Sequence, residues 1–456
     1  MAGRRHRGEV PGAGERRDRG RGGREARGAG PVRRRCERPR RAVRAHRRCG
    51  DAVSSATESF ISSRAADWIA FRRDLHRHPE LGFTEFRTIA RIAERLAPLG
   101  YRLRLGAEVI RREAMRGVPP AETIAQCRAR ALAEGASPHY VARMGEGMTG
   151  LVAELSRGPG PVVAMRFDVD ALPIHEATRE THLPAKQGFA SARPGAMHAC
   201  GHDGHAAIGI ALAEIAAQPH TEWSGTLRLI FQPAEEGGRG GHAMTERGIV
   251  DDVDRLFALH LGCDLPSGRV AASATDMLFS TKWDATFHGR AAHAAANPER
   301  GQNAILAAAQ AVTALYAIAR HGHAPTHVNV GRMEGGTGRN VIADRARLEI
   351  EVRGLDDDSL AHMDTRARAA VEGAALMQGC TVDLVEVTRT VGATTSPGAR
   401  GIVAASAAAL PGIDVVESWP LGGCDDAAFL MRRVQERGGE AAYLIVGSDL
   451  AAGHHA

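Results

Sequence analysis

The stretch Thr226-Leu227-Arg228-Leu229-Ile230-Phe231-Gln232-Pro233-Ala234-Glu235-Glu236-Gly237 sets a mostly apolar run directly before a polar turn that carries two adjacent carboxylates. A run of strand length, rich in Leu, Ile and Phe and closed by Pro and Gly, predicts a buried strand. Two further runs share this design. Val162-Val163-Ala164-Met165-Arg166-Phe167 ends at Asp168-Val169-Asp170, and Leu256-Phe257-Ala258-Leu259 ends at His260. Between the first two in chain order lies Met197-His198-Ala199-Cys200-Gly201-His202-Asp203-Gly204-His205, followed by a small-residue helix predicted over Ala206–Ala217. The alternation predicts an α/β fold: a mixed, largely parallel sheet with helices on both faces. The chemistry-bearing residues then fall at carboxyl ends of strands or at a helix start, the edge where open α/β sheets bind ligands.

Outward from this core the pattern changes twice. Ser59 to Leu99 reads as helical, with Leu75, Leu81, Ile89, Ile92, Leu96 and Leu99 spaced among Arg and Glu. From about 277 to 390 the predicted order is strand (Lys282–His288), helix (Asn303–Arg320), strand (Thr326–Met333), strand (Arg345–Arg353), helix (Asp357–Met377), strand (Thr381–Val387). That βαββαβ order is the ferredoxin-like α+β motif. It reads as a domain inserted into the first, which would comprise residues 53–276 and 391–456. Helix Ile402–Ala409 and strand Ala442–Val446 are predicted after the return.

The chain has 456 residues, 43% of them hydrophobic and 25% charged, which suits a globular protein of two or three domains. No apolar run is long enough to span a bilayer. The net charge of +6 is concentrated in residues 1–52, which are dominated by Arg, Gly and Pro and predict disorder. The remainder is acidic, so nucleic-acid binding is not expected of the folded part. No apolar segment follows the arginines, so a secretory signal is not expected. The extension is expected to be upstream sequence read from a misplaced start, with Val53 as the true one. A nucleic-acid or membrane-surface arm and a transit peptide are the competing readings. The seven cysteines show no framework spacing, which fits a reducing cytoplasm.

Thiolate, imidazole and carboxylate are the donors that bind a borderline divalent cation. Cys200 and His202 stand two apart at a helix start, where the helix dipole and a bound cation would both favour the thiolate. Glu235 and Glu236 point opposite ways off a strand end, so one can face metal while the other moves protons for a water. His198 and His205 could orient ligands through hydrogen bonds. Asp168 and Asp170 could orient ligand histidines, bind metal or serve as a cap and turn pair. In the inserted domain, His293 and Asn340 occupy loops where they could stabilise an oxyanion or grip a carboxylate, and Arg353 could pair bidentately with a carboxylate.

These segments together resemble the M20 metallopeptidases, specifically their amidohydrolase branch. The resemblance rests on Arg73-Asp74-Leu75-His76-Arg77-His78-Pro79-Glu80, Asp168 to Leu172, His198 to His205, Gln232 to Gly237 and Gly289 to His293, and covers nearly everything after residue 59. The long segment Ala107–Gly150, Val328-Asn329-Val330-Gly331, Gly338-Arg339-Asn340-Val341 and the ending Leu450 to His455 point to the members that cleave p-aminobenzoyl-glutamate. The resemblance implies two divalent ions, Mn or Zn, with Cys200, His202, Glu236, His260 and His455 (or His454) as ligands and Glu235 as catalytic acid/base. It implies that His293 reaches a neighbouring protomer's site, that Asn340 and Arg353 hold substrate, and that the inserted domain is lid and dimerisation surface. The expected activity is hydrolysis of an N-acyl amino acid, by a homodimer or by a heterodimer with a homologous partner. The alternatives are a broader hippurate-type activity and an inactive or partner-dependent, non-catalytic role. Three departures stand out: Cys424-Asp425-Asp426 in place of Ser-Glu-Asp, Ala343 in place of Pro, and an end at Ala456 where relatives continue, which predicts a truncated C-terminus.

Overall fold

The apolar runs read from the sequence become neighbouring strands in the computed structural model, which describes residues 55–449. The expectations for the Arg-rich residues 1–52 and for His454 and His455 lie outside the described residues. In chain order the first part contains α1 (Ser55–Arg77), α2 (Phe86–Leu96), β1 (Arg102–Leu105), α3 (Ala121–Ala133), α4 (Pro138–Arg143), β2 (Leu151–Arg157) and β3 (Val162–Asp168). There follow α5 (Leu183–Lys186), α6 (His202–Ala217), β4 (Gly225–Gln232), α7 (Gly240–Glu246), β5 (Arg255–Leu261), β6 (Arg269–Ala271) and β7 (Ala274–Thr275). The inserted part contains β8 (Phe279–His288), α8 (Ala304–Tyr316), β9 (Thr326–Gly335), β10 (Arg345–Gly354), α9 (Asp357–Met377) and β11 (Thr381–Thr390). The return adds α10 (Pro397–Ala408), β12 (Asp414–Val416), β13 (Trp419–Pro420), α11 (Ala427–Glu436) and β14 (Glu440–Val446).

The main sheet has the order β1-β2-β4-β3-β5-β14-β6-β12. Its central strands β4, β3, β5 and β14 are mutually parallel, while β2 joins β4 and β6 joins β14 antiparallel. The chain leaves β3 for β4 on one side and then crosses to β5 on the other. The carboxyl ends of these three strands therefore open on one crevice at a topological switch point. Strand alternation feeds two cores. Ile230, Leu256 and Ala258 pack with α7 and α11, whereas Leu229, Phe231 and Leu259 pack with α1, α2 and α6. Helices thus cover both faces, as a parallel sheet requires.

The helical stretch expected from Ser59 to Leu99 is two helices. Pro79 cannot continue α1, since its ring removes a donor and restricts the residue before it. Leu81 forms a bridge with Ala171, and the Glu80 carboxylate accepts from the N–H groups of Arg87 (3.1 Å) and Thr88 (2.7 Å) to start α2. The inserted part has the expected ferredoxin-like order. Its sheet runs β11-β8-β10-β9, every pair antiparallel, and α8 and α9 supply the apolar side chains that cover it. Thr388 Oγ1 donates to Gly238 O at 2.8 Å, tying this sheet to the turn that follows the Glu pair. No helix among the described residues is long and apolar enough to cross a membrane.

Candidate metal centre

Helix α6 begins at His202, a turn earlier than its apolar pattern suggests. Gly201 precedes it with φ +84°, a conformation that favours glycine. His202 and His205 consequently share a helical face, their rings stacked at 5.4 Å. The two are used differently. His205 Nε2 accepts the N–H of Leu261 at 3.0 Å and its Nδ1 bonds the Asp168 carboxylate, so both ring nitrogens are spent. His202 Nδ1 bonds the Asp170 carbonyl oxygen at 2.9 Å, while its buried Nε2 makes no hydrogen bond. The nearest carboxylate oxygens to that Nε2 are Asp168 Oδ2 at 3.7 Å and Glu235 Oε2 at 3.9 Å.

His260, near the end of β5, bonds Leu261 O through Nδ1 at 2.8 Å, and its Nε2 faces Cys200 Sγ at 3.4 Å. One ligand atom each from Cys200, His202 and His260 lies within 4.8 Å of the others, and the same holds for His202, Glu235 and Glu236. The Asp170 carboxylate fixes the turn bearing the acid pair by accepting from the N–H groups of Glu235 and Glu236, both at 3.0 Å.

Behind Glu235 lies a group to which the sequence assigned no role. Arg166, wholly buried on β3, bonds Gln232 Oε1 (2.9 Å), Asp168 Oδ2 (2.6 Å), Asp425 (3.0 Å) and Asp426 (3.1 Å). Tyr443 donates to Asp425 at 2.5 Å, and Gln232 and the Gly241 N–H donate to Asp426 at 2.6 and 2.7 Å. Asp425 and Asp426 each bring a carboxylate oxygen within 4.8 Å of Glu235. The available signal was an arginine inside an otherwise apolar strand: such a cation is buried only when anions meet it. A second missed group is His76 in α1, held between Asp203 (2.9 Å) and Glu176 (3.0 Å). Asp203 follows the His202 donor directly, so this group braces the start of α6.

The electrostatics fit a resident cation. Burial, followed by the charges of Asp425 and Glu236, pushes the Glu235 carboxyl well above the usual range. Burial likewise takes Glu236 to about 7, with Asp170 and Asp168 adding to the rise against His202. Burial pushes the Cys200 thiol up to about 11, so the helix terminus alone does not hold the thiolate expected from the sequence. For His202 burial opposes charge, but Asp168 and Cys200 overcome it and keep the proton well above the ordinary value. Excess buried negative charge, a thiol that needs a cation to ionise and an imidazole nitrogen without a hydrogen bond are what a divalent ion would satisfy.

The lid residues stand elsewhere. His293 is exposed, its Nδ1 accepting from Ala295 N–H (3.2 Å) and Ala296 N–H (3.1 Å). Asn340, also exposed, accepts from Ala294 N–H through its backbone carbonyl at 3.0 Å, so these two loops meet. Arg353 is at the other end of the lid sheet: in the β10–β8 register Arg345 faces His288, the end from which His293 follows, and Arg353 faces Ser280. Eight strand residues separate the ends, roughly 27 Å. Arg353 bonds Glu351 Oε2 at 2.9 Å, and burial opposes its charge while Cys424 favours it. His198 is buried without a hydrogen bond at either nitrogen.

Known proteins resemble this chain over most of its length. Residues 164–456 fit the profile of Peptidase family M20/M25/M40. The chain is 44% identical over 403 residues to the A subunit of p-aminobenzoyl-glutamate hydrolase from Escherichia coli (strain K12), covering 87% of this chain and 92% of that one. It is 43% identical over 399 residues to indole-3-acetyl-aspartic acid hydrolase of Enterobacter agglomerans, with the same coverage of 87% and 92%. Among solved structures it resembles the aminobenzoyl-glutamate utilization protein of Klebsiella pneumoniae, with a TM-score of 0.76, 37% identity and coverage of 86% and 93%. A dinuclear metal binding peptidase from Bacillus subtilis superposes with a TM-score of 0.61 at 27% identity, covering 87% and 92%.

Proposed function

The chain belongs to peptidase family M20/M25/M40, and from that premise we propose that it hydrolyses the amide of an aromatic acyl group joined to an acidic amino acid, with p-aminobenzoyl-glutamate as substrate. Metal-dependent amide hydrolysis is the activity of the family branch it matches. The observation that carries the reading is a pair of donor groups that share the buried His202: Cys200, His202 and His260 on one side, and His202, Glu235 and Glu236 on the other. The names of two similarly close relatives share one chemistry, an aromatic acyl group on glutamate or aspartate. That convergence supports the acidic amino-acid half more strongly than the acyl half.

Cys200, His202, Glu236 and His260 would hold divalent ions, Mn or Zn, with His455 as the further ligand. Bound there, such ions supply Lewis acidity to the amide carbonyl and lower the pKa of water. Glu235 takes the proton of the attacking water and returns it to the leaving amine nitrogen. Asp425 and Asp426 stand behind it, each with a carboxylate oxygen within 4.8 Å. Asp168, Asp170 and His205 hold the ligand-bearing elements in place by the bonds described above. Arg353 meets substrate from its own protomer's end of the lid, while His293 and Asn340 serve a second protomer's site from the far end. Residues 277–390 are then the lid and dimerisation domain of a homodimer or of a pair with a homologous chain. Two of the relatives are named as one subunit of a hydrolase, or a homologue of it, which supports a partner. None of the five cysteines among the described residues is in a disulfide, and we place the enzyme in the cytoplasm.

The test is turnover. Purified protein loaded with Mn or Zn should release p-aminobenzoate from p-aminobenzoyl-glutamate, alone or with its homologous partner. Protein that binds neither metal and cleaves neither this substrate nor indole-3-acetyl-aspartate would refute the reading. Preference for the indole conjugate would reassign the acyl half and keep the mechanism.

A further inference from the structure

Asp170 accounts for two N–H groups of the turn that presents the acid pair. A third belongs to a carboxylate that plays no part in the chemistry above. Ala234 N–H donates to Glu85 Oε1 at 2.8 Å. Ala234 adopts φ +51°, the left-handed region that a residue with a Cβ rarely enters. This turn bends the chain away from the line of β4 immediately before Glu235. The N–H groups of Arg239 and Gly240 close it by donating to Ala234 O at 3.1 and 3.0 Å. Pro233 has no N–H to offer, so Ala234 supplies the first donor after the strand.

Glu85 reaches this turn from a remote part of the chain. It stands immediately before α2 and is wholly buried. Its second oxygen shares a 2.5 Å hydrogen bond with the hydroxyl of Thr149, itself wholly buried just before β2. One side chain thus joins the turn before α2, the end of the Ala107–Gly150 segment and the turn bearing the acid pair. Burial, reinforced by the charge of Asp170, raises its carboxyl to about 8. A neutral amide is therefore a close stand-in for it.

We propose that Glu85 is the positioning residue for Glu235: by holding the Ala234 N–H it maintains the left-handed turn that aims the acid/base into the site. The proposal rests on the reading that Glu235 is the acid/base. Glu85→Leu keeps the size of the side chain and removes the acceptor. Glu85→Gln restores a carbonyl for Ala234 and a polar partner for Thr149.

The experiment reads amide exchange by mass spectrometry on the metal-free full chain, then kcat, KM and metal content of the loaded enzyme with p-aminobenzoyl-glutamate. In Glu85→Leu the peptide spanning 229–241 should exchange roughly tenfold faster while peptides from α6 and β5 stay at wild-type rates. Its kcat should fall about 30-fold with KM and metal content unchanged, the pattern of a misaimed group. Glu85→Gln should return exchange and kcat to within about threefold of wild type. Wild-type exchange and kcat in Glu85→Leu overturn the proposal, and so does a Glu85→Gln variant as impaired as Glu85→Leu. If Glu85→Leu does not fold, Thr149→Val decides: it should speed exchange of the same peptide and lower kcat about threefold or more, and wild-type values would overturn the idea. Glu235→Gln separates the two claims. If it retains turnover, the acid/base reading fails whatever Glu85 does. If it is inert while Glu85→Leu is fully active, only the positioning role fails.

Discussion

The carboxyl edge of the main sheet and the loop end of the lid sheet carry the proposed site in opposite ways. At the sheet edge the groups are buried and over-determined. Arg166 meets the carboxylates of Asp168, Asp425 and Asp426, and Asp170 holds two consecutive backbone N–H groups. At the lid end His293 and Asn340 are exposed and bond only the backbone of adjoining loops. Groups that move protons and hold cations need a dry, rigid surround, because low polarity strengthens each charge and fixed dipoles need no rearrangement. Groups that meet a substrate across a lid must stay accessible, and these two sit on exposed loops at one end of an antiparallel sheet.

The comparison can be broken at its strongest point. Arg166→Met leaves three buried aspartates without their cation, and should cost roughly 3–5 kcal/mol of stability. Chemical denaturation of the metal-free protein measures it, and a loss under about 1 kcal/mol would show the buried edge to be less charge-dependent than its geometry implies. Glu235→Gln should lower kcat on the order of 10³-fold while metal content holds; near-normal turnover would move the proton-transfer role elsewhere.

His293→Ala sharpens the other side. It should lower kcat about 10²-fold with little change in the melting temperature, because the exposed ring bonds only the N–H groups of Ala295 and Ala296 in its own loop. Mixing it with Glu235→Gln protein should restore part of the activity if His293 serves a second protomer's site. Failure to complement would place both residues in one protomer's site.

A smaller effect concerns the brace beneath α6. For His76 burial opposes charge, but the bonds to Asp203 and Glu176 prevail and raise it to about 9. A raised histidine stabilises the fold fully below its unfolded value near 6.5, and that contribution is lost as pH rises through 9. Glu176 is lowered to about 2: burial opposes the shift, and the His76 and Ser191 bonds produce it. Its contribution holds above about 4.5 and is lost only as pH falls toward 2. The destabilisation caused by His76→Leu should therefore be largest between pH 4.5 and 6.5 and shrink by pH 9. A gap that widens with alkalinity would reverse the assignment. The smallest effect belongs to the lid surface, where Arg332 pairs with Glu334 in solvent. Arg332→Ala should change stability by less than about 0.5 kcal/mol, and a larger loss would mean that this edge is covered.

The apolar runs 162–167, 226–231 and 256–259 were legible as buried strands because both their faces are covered, and their polar ends marked the crevice. The βαββαβ order of the lid was equally plain, since each element carries its own periodicity and its caps. Asn303 and Asp356 sit at the N-termini of α8 and α9, with side chains bonding Leu306 and Ser359 N–H groups. The break after α1 was signalled by Pro79, which a reading of one continuous helix passed over; the early start of α6 at His202 was not legible, because local sequence does not reveal the left-handed Gly201.

What the sequence determined by itself was the set of donors: thiol, imidazoles and carboxylates at strand ends and a helix start, which point to a divalent cation and an activated water, while the amide substrate came from the family resemblance. What only the tertiary structure decided was their division of labour. His202 Nε2 is left without a hydrogen bond while His205 is spent on Asp168 and Leu261, and Glu235 is backed by Asp425 and Asp426 from far along the chain. Arg353 and His293 are set at opposite ends of one sheet. Residue type fixes which chemistry a side chain can perform. Burial, hydrogen-bond partners and distances between remote segments fix which one it does perform, and those depend on strand order and register, which no local stretch of sequence contains.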